Sequence, residues 1–203
     1  MRLRTAIMVP AALVLSATLP IALAAPRPRD ASKPVLYYPI NVGEQWVLGF
    51  DMENGTNMAP LLVTSAVEKD GITTVKVANV DRDGTPGLGF TVEVSEKGVC
   101  MVENPSGRFD DPRWLLKLPA KPGSKWEVPI KDPGRKPETM VRTVVGEEEV
   151  ITPAGTFKAV RVDIEFPVGT PWLTEWWAVG RGKVKQSGSP VPLVLKSITP
   201  GKK

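Results

Sequence analysis

Apolar and polar residues alternate in short segments along most of the chain, which is typical of β-strands with one solvated face. Within residues 73–79, valines alternate with Thr, Lys and Ala, and within 157–166, Val160, Val162 and Ile164 alternate with charged residues. Prolines and glycines interrupt these segments at short intervals, and no segment has the apolar spacing of an amphipathic helix. The pattern therefore predicts an all-β protein.

Turn signals divide the chain into roughly eleven predicted strands joined by short connections. These strands are 45–52, 60–68, 73–79, 88–95, 99–103, 125–130, 139–150, 157–166, 173–179, 183–187 and 193–198. Residues 104–114 are predicted to form a polar loop that leads into the short apolar segment 115–118. Successive hairpins of this kind form antiparallel meanders. We expect a curved antiparallel sheet, an open half-barrel of about 10–11 strands.

The two halves of the chain, about 40–103 and 120–187, resemble each other. The segment 43–47 (GEQWV) matches 123–127 (GSKWE), and 71–77 is similar to 155–162 with one inserted residue. This similarity predicts two duplicated meanders that pair into one sheet, since neither meander could bury its apolar face alone. The alternative is that unrelated meanders share such features.

The first 24 residues have the features of a secretory signal peptide. Arg2 and Arg4 precede an apolar stretch, and Ala22-Leu23-Ala24 satisfies the small-x-small rule for cleavage after Ala24. A membrane anchor is the alternative, but two prolines interrupt the stretch and a Pro-rich segment follows it. We expect a flexible tether over 25–34 and a single β domain over 35–200. The expected location is periplasmic or secreted, with no transmembrane segment after cleavage.

Charge and composition exclude several function classes. Cleavage after Ala24 would leave 24 Lys and Arg against 22 Asp and Glu, a net charge of +2, which argues against nucleic-acid binding. The chain has no histidine and one cysteine, Cys100, which lies in an apolar segment and is expected to be a buried, unreactive thiol. Histidine-based catalysis and His- or Cys-rich metal sites are therefore excluded. We predict no metal, no cofactor and no enzymatic activity.

Carboxylates are the remaining candidates for acid–base chemistry. Asp110-Asp111 precedes a proline in the predicted loop, and the segment 81–84 (DRDG) has part of the composition of a calcium loop without its spacing. Both are interpreted as turn formers, although a carboxylate-based hydrolase stays open as an alternative.

Tryptophans are the candidate binding residues. Trp46 and Trp126 occupy equivalent positions in the two halves and are expected to anchor the core. Candidates to line an apolar groove on the concave face are Trp114, Trp172, Trp176 and Trp177. In a regular strand, Trp176 and Trp177 point to opposite faces. Packing within the core is the alternative role for the whole set.

Five segments together resemble a known family. They are 37–46 (YYPINVGEQW), 115–126 (LLKLPAKPGSKW), 145–149 (VGEEE), 152–162 (TPAGTFKAVRV) and 176–186 (WWAVGRGKVKQ). Their order resembles uncharacterised secreted bacterial proteins of the DUF3108-like kind. The resemblance implies an open, curved antiparallel sheet like the half-barrel of the lipoprotein carriers LolA and LolB. It implies no catalytic residues.

These observations favour a non-catalytic, extracytoplasmic binding module. The sheet would hold an apolar small molecule, a lipid or an envelope protein on its concave face by burying apolar surface. A second hypothesis is an envelope-assembly protein whose edge strands pair with other chains.

Overall fold

The computed structural model describes residues 34–50, 58–130, 138–167, 173–188 and 192–201. These residues form twelve strands and contain no helix, so none that could cross a membrane. The predicted signal peptide lies outside the described residues, as does most of the predicted tether.

The strands follow one another with short connections. Their bounds are β1 Gln45–Phe50, β2 Leu61–Lys69, β3 Ile72–Val80, β4 Pro86–Ser95, β5 Gly98–Asn104, β6 Gly107–Lys117, β7 Lys125–Ile130, β8 Glu138–Thr152, β9 Gly155–Glu165, β10 Leu173–Ala178, β11 Gly182–Gly188 and β12 Leu193–Thr199.

All twelve strands belong to one sheet, in the order β6-β5-β4-β3-β2-β1-β12-β11-β10-β9-β8-β7. The described neighbours are antiparallel, as short connections between consecutive strands require. Strands β1 and β12 pair in the middle of this order, and the edge strands β6 and β7 are consecutive in the chain. The predicted curved antiparallel sheet is confirmed, and the sheet is nearly closed into a barrel.

The prediction of a loop over 104–114 was wrong, because strand β6 runs through Gly107–Lys117. The first part of this strand is mostly exposed and contains Pro112, which gave it the composition of a loop. Strand β6 is an edge strand, where a residue without a backbone N–H can be accommodated.

The two G-x-x-W segments open β1 and β7 with the same turn. The N–H of Gly43 donates to the carbonyl of Val63 at 2.8 Å, and that of Gly123 donates to the carbonyl of Val144 at 2.8 Å. Both glycines have positive φ, 83° and 84° respectively, a backbone conformation that L side chains disfavour. Each turn directs its tryptophan, Trp46 or Trp126, into the core, as was expected. Descent of the two halves from a duplication stays a prediction.

The tip of the β8–β9 hairpin reaches β12. The N–H of Ala154 in this tip donates to the carbonyl of Leu195 at 3.3 Å. Adjacent residues Val194 and Leu195 are both buried, although they point to opposite faces of the sheet. The hairpin therefore covers part of the outer face, so this region of the sheet is buried on both sides.

Side chains, and not a backbone ladder, join the two edge strands. The Trp126 indole N–H on β7 donates to the carbonyl of Trp114 on β6 at 3.0 Å. Arg142 on β8 donates from Nη1 to the carbonyl of Leu115 at 2.8 Å. We call this junction of β6 and β7 the seam. Its carbonyl acceptors would otherwise lack the partners that a sheet edge needs when it is buried.

We predict that Trp126→Phe weakens the seam. Phenylalanine keeps an aromatic ring but cannot donate to the carbonyl of Trp114, and an unpaired carbonyl of this kind costs about 1–3 kcal/mol. Trp46→Phe makes a matched control, because Trp46 occupies the equivalent position away from the seam. Urea denaturation should show a larger loss in the free energy of unfolding for Trp126→Phe. Equal losses would contradict a bonding role for Trp126.

Candidate functional site

The barrel encloses a cavity of about 320 Å³, which we call the barrel cavity. Its wall is mainly aromatic and aliphatic, with one acidic and one basic residue: Tyr38, Trp46, Leu48, Leu61, Phe90, Met101, Leu115, Glu175, Trp177, Gly182 and Lys183. These residues come from seven strands and from the segment that precedes β1. The volume lies at the small end of the range for small-molecule sites, roughly 300–1,000 Å³.

The segment before β1 supplies one side of this wall. Tyr38 is buried and packs its ring edge against Trp46, with the ring centroids 5.9 Å apart. Gly182 lies so close to the Tyr38 ring that a Cβ atom there would be 3.3 Å from it. The buried carboxylate of Glu44 accepts a hydrogen bond from Arg181 at 2.8 Å and holds the segment against the β10–β11 turn. Tyr38 is therefore a fixed part of the cavity wall.

A second cavity of about 470 Å³ is more open to solvent. It is lined by Tyr37, the residue next to Tyr38, and its wall includes the carboxylates of Glu96 and Glu147. Glu147 forms an ion pair with Lys158 at 2.6 Å, and both side chains are substantially exposed. This cavity has fewer of the features of an apolar ligand site than the barrel cavity.

A buried charged cluster adjoins the barrel cavity. The carboxylate of Glu175 accepts hydrogen bonds from Arg142 Nη1 at 2.9 Å, from the Trp177 indole N–H at 3.1 Å and from Lys183 Nζ at 3.2 Å. Arg142 and Glu175 are each only 5 % exposed. The same Arg142 nitrogen also donates to the seam at Leu115. The cluster thus connects the cavity wall to the closure of the barrel.

A β-bulge lies next to Lys183. Trp176 pairs with Lys185 and Trp177 pairs with Lys183, so Val184 is an extra residue in β11. Bulges commonly redirect a side chain. In a regular strand Lys183 would point to the outer face, as Lys185 does, because the two are two residues apart. With the bulge, Lys183 points inward instead, where its Nζ donates to the Glu175 carboxylate and, at 2.6 Å, to the side-chain oxygen of Gln186.

Glu175 is ionised at neutral pH. Burial by itself would raise the pKa of Glu175, but the charges of Lys183 and Arg142 and their hydrogen bonds outweigh it and lower the pKa from 4.5 to about 2. A carboxylate with three donors and such a low pKa is not suited to general acid–base catalysis near neutral pH.

The structure places the predicted tryptophans in different environments. Trp177 lines the barrel cavity. Trp176 points to the outer face, where its indole N–H donates to Glu148 and the charged groups of Arg161 and Lys185 lie 5.9 and 5.6 Å from its ring centroid.

A third candidate, Trp114, does not line the barrel cavity. Trp114 lies at the seam, pairs with Cys100 and has the Lys117 ammonium 5.6 Å from its ring centroid. Trp172 lies outside the described residues. A binding role for these tryptophans stays a prediction.

The acidic residues considered for calcium binding or hydrolysis do not line the barrel cavity. Asp81 and Asp83 form a turn in which the N–H of Thr85 donates to the Asp83 carboxylate at 2.9 Å. Asp110 and Asp111 are exposed on β6. Across the described ranges, no group of three or more acidic, cysteine or histidine side chains could hold a metal ion.

Cys100 is buried and unpaired with another cysteine, as was expected. Its burial, together with the nearby Glu93 carboxylate, raises the pKa of the thiol to about 11. The thiol is therefore protonated at neutral pH and is a poor nucleophile.

Sequence reasoning missed the charged cluster. Glu175 lies in the same strand as two tryptophans that were singled out, and it shares a face with Trp177. A charged residue on the buried face of a strand is the signal that could have identified it. Its partners could not be identified from the sequence, since Arg142 is 33 residues away in the chain.

The chain matches no family model and no curated protein. Two solved structures are similar in fold. A protein from Bacteroides fragilis, assigned as exported and as having a YmcC-like fold, has a TM-score of 0.55 and 20 % sequence identity. A protein from Parabacteroides distasonis, assigned as a lipoprotein, has a TM-score of 0.52 and 15 % identity. Each alignment covers 82 % of this chain and 100 % of the other. At these identities the likeness shows a shared fold alone.

We predict that Glu175 makes stability depend on pH in the acid range. Because the folded-state pKa is lowered, the stabilisation by its charge is present above pH 4.5 and is lost as the pH falls toward about 2. Glu175→Gln should be less stable than the native chain at neutral pH, by about 3–5 kcal/mol for a broken buried pair, and the gap should narrow on acidification.

Urea denaturation over a pH series measures the difference in the free energy of unfolding between Glu175→Gln and the native chain. Asp163→Asn makes a control, because Asp163 pairs with Arg161 at 3.2 Å in a half-exposed position. It should have a much smaller effect. A gap between Glu175→Gln and the native chain that is independent of pH would contradict the assignment of an ionised Glu175.

Proposed function

We propose that this protein is a non-catalytic, extracytoplasmic binding module that holds an apolar or lipid-like small molecule in the barrel cavity. The observation that carries the proposal is the cavity itself, whose wall combines aromatic and aliphatic side chains with one charged cluster. Small-molecule sites typically have this composition, in which apolar surface provides affinity and a few polar groups fix orientation.

The apolar wall supports binding by the hydrophobic effect. Burial of apolar surface contributes about 25 cal/mol per Å², or about 0.8 kcal/mol for each buried methylene group. Trp46 and Trp177 contribute large rigid surfaces, and Leu48 and Met101 contribute flexible ones that adapt to an alkyl chain. A ligand with an alkyl chain would therefore gain free energy from each methylene group that it buries, without any covalent chemistry.

Two observations support a role without catalysis. The chain contains no histidine. The carboxylate that adjoins the cavity, Glu175, is ionised and already accepts three hydrogen bonds. These groups can position a ligand, but they provide no proton acceptor with a pKa near neutrality.

The extracytoplasmic location is supported by residues 1–24, which have the charge, apolar stretch and cleavage motif of a signal peptide. The two proteins of similar fold are assigned as exported and as a lipoprotein. The combination favours a protein that works in the cell envelope or outside the cell.

Assembly through edge strands is the alternative function. The edges β6 and β7 face each other, and Trp126 and Arg142 bond across the seam. A partner strand would have to displace these bonds before it could pair with either edge. Binding in the cavity requires no such change, which favours the first proposal.

We predict that filling the barrel cavity prevents ligand binding. Met101→Trp adds an indole to the cavity wall and should weaken binding of a neutral alkyl probe, dodecanol, by about tenfold or more, because the volume for the chain is lost. Displacement of a fluorescent apolar dye would measure the affinity. Native mass spectrometry of the freshly purified protein would show any co-purified ligand.

The control is Leu88→Trp, which adds an indole at a side chain of the neighbouring strand β4 that is 72 % exposed and does not line the cavity. It should leave probe binding unchanged. Circular dichroism and thermal unfolding would establish that both variants are folded. If Met101→Trp folds and binds the probe as well as the native chain does, the cavity is not the binding site.

We also predict processing at Ala24. On expression in a bacterium, the periplasmic or secreted fraction should contain a chain whose N-terminus is Ala25, as intact mass would show. Ala24→Leu should block processing, because the small residue at the cut is lost, whereas Ala24→Ser should preserve it. A full-length native chain recovered from the cytosol would contradict export.

A further inference from the structure

The charged cluster beside the barrel cavity has a net positive charge. Its members are two cations, Arg142 and Lys183, and one anion, Glu175, which gives a formal net charge of +1. The side chains of Arg142 and Glu175 are 7 % and 6 % exposed, so water screens their charges weakly. An anion that entered the cavity would therefore lie beside a cluster with a net positive charge.

Lys183 is the cation that can meet a ligand. It lines the barrel cavity directly, whereas Arg142 does not belong to the cavity wall. Its side chain is 25 % exposed, so it is more accessible than the other two members of the cluster. An ammonium group has three donors, and Lys183 directs two of them to Glu175 and Gln186. The ammonium can direct a further donor to a ligand in the cavity that Lys183 lines.

The opposite wall of the cavity carries no charge. Leu48, Leu61, Phe90 and Met101 come from β1, β2, β4 and β5, whereas Glu175 and Lys183 come from β10 and β11. A ligand that matches both walls has an alkyl chain at one end and a negative group at the other. A cationic head would instead be repelled by the net charge of the cluster.

From this separation of charge and apolar surface we propose that the barrel cavity selects a single-chain amphiphile with an anionic head, and that Lys183 binds the head. The inference rests on the proposed function, because it concerns the ligand class of the same cavity. A carboxylate head would accept a charge-assisted hydrogen bond from Lys183, and Glu175 would keep Lys183 on the cavity side of the sheet.

The test compares ligands of one chain length on the full processed protein. Dodecanoate, dodecanol and dodecylamine, each below its micelle concentration, would displace the apolar dye. Dodecanoate should bind about tenfold more tightly than dodecanol, since hydrogen bonds to charged groups have at least this effect. Dodecylamine should bind most weakly. Added salt should reduce the preference for dodecanoate.

Variants of two lysines in β11 test the role of Lys183. Lys183→Met should abolish the preference for dodecanoate over dodecanol, while Lys183→Arg should retain it. Lys185→Met removes the same charge from the outer face, where Lys185 lies 5.6 Å from the Trp176 ring centroid, and should change neither affinity.

The outcomes separate this inference from the proposed function. If the native chain binds all three probes equally and Met101→Trp abolishes their binding, the cavity binds apolar ligands but the anionic selection is wrong. If the preference for dodecanoate persists in a folded Lys183→Met, another group selects the head and the role of Lys183 is wrong. If the native chain binds none of the probes, the proposed function and the inference both fail.

Discussion

The hydrogen bonds of Arg142 connect the closure of the barrel to the charged cluster beside the cavity. From β8, one nitrogen of its guanidinium reaches both the Glu175 carboxylate on β10 and the carbonyl of Leu115 on β6. A sheet of twelve antiparallel strands that curves into a barrel must bring its two edges together, and a buried edge needs partners for its backbone groups. Arg142 supplies one such partner, and Glu175 compensates its charge. Arg142 therefore contributes both to the closure of the barrel and to the electrostatics beside the cavity.

The size of the sheet explains why a cavity exists at all. Barrels of about eight strands can fill their interior with side chains, and larger ones enclose space. Here Val63, Val75, Val92 and other small aliphatic residues fill much of the interior, and the segment with Tyr37 and Tyr38 packs against them. The space that remains lies beside the charged cluster, so an apolar wall and a charged one face the same volume. This arrangement suits a ligand with two chemically different ends.

The repeat in the sequence corresponds to a repeat in the geometry of the strands. Each run of six strands opens on a glycine with positive φ, followed by a buried tryptophan, and the equivalent turns have equivalent hydrogen bonds. The two tryptophans nevertheless have different surroundings. Trp46 is the second residue of β1, which pairs with β2 and β12, and it lines the cavity, whereas Trp126 is the second residue of the edge strand β7 and bonds across the seam. The two tryptophans have different roles because β1 lies in the middle of the sheet, whereas β7 lies at its edge.

The sequence by itself determined the strands, the turns and the absence of histidine chemistry, because alternation and turn residues act over a few neighbouring positions. It did not reveal β6, whose exposed edge position permits a polar composition and a proline. Nor did it reveal which tryptophan faces the cavity: Trp176 and Trp177 are adjacent, and only the curvature and pairing of the sheet decide which face is concave. The cluster of Glu175, Arg142 and Lys183 was also beyond prediction, since contacts between strands far apart in the chain depend on register. Tertiary structure decided the site because a cavity is a property of the closed sheet and belongs to no single strand.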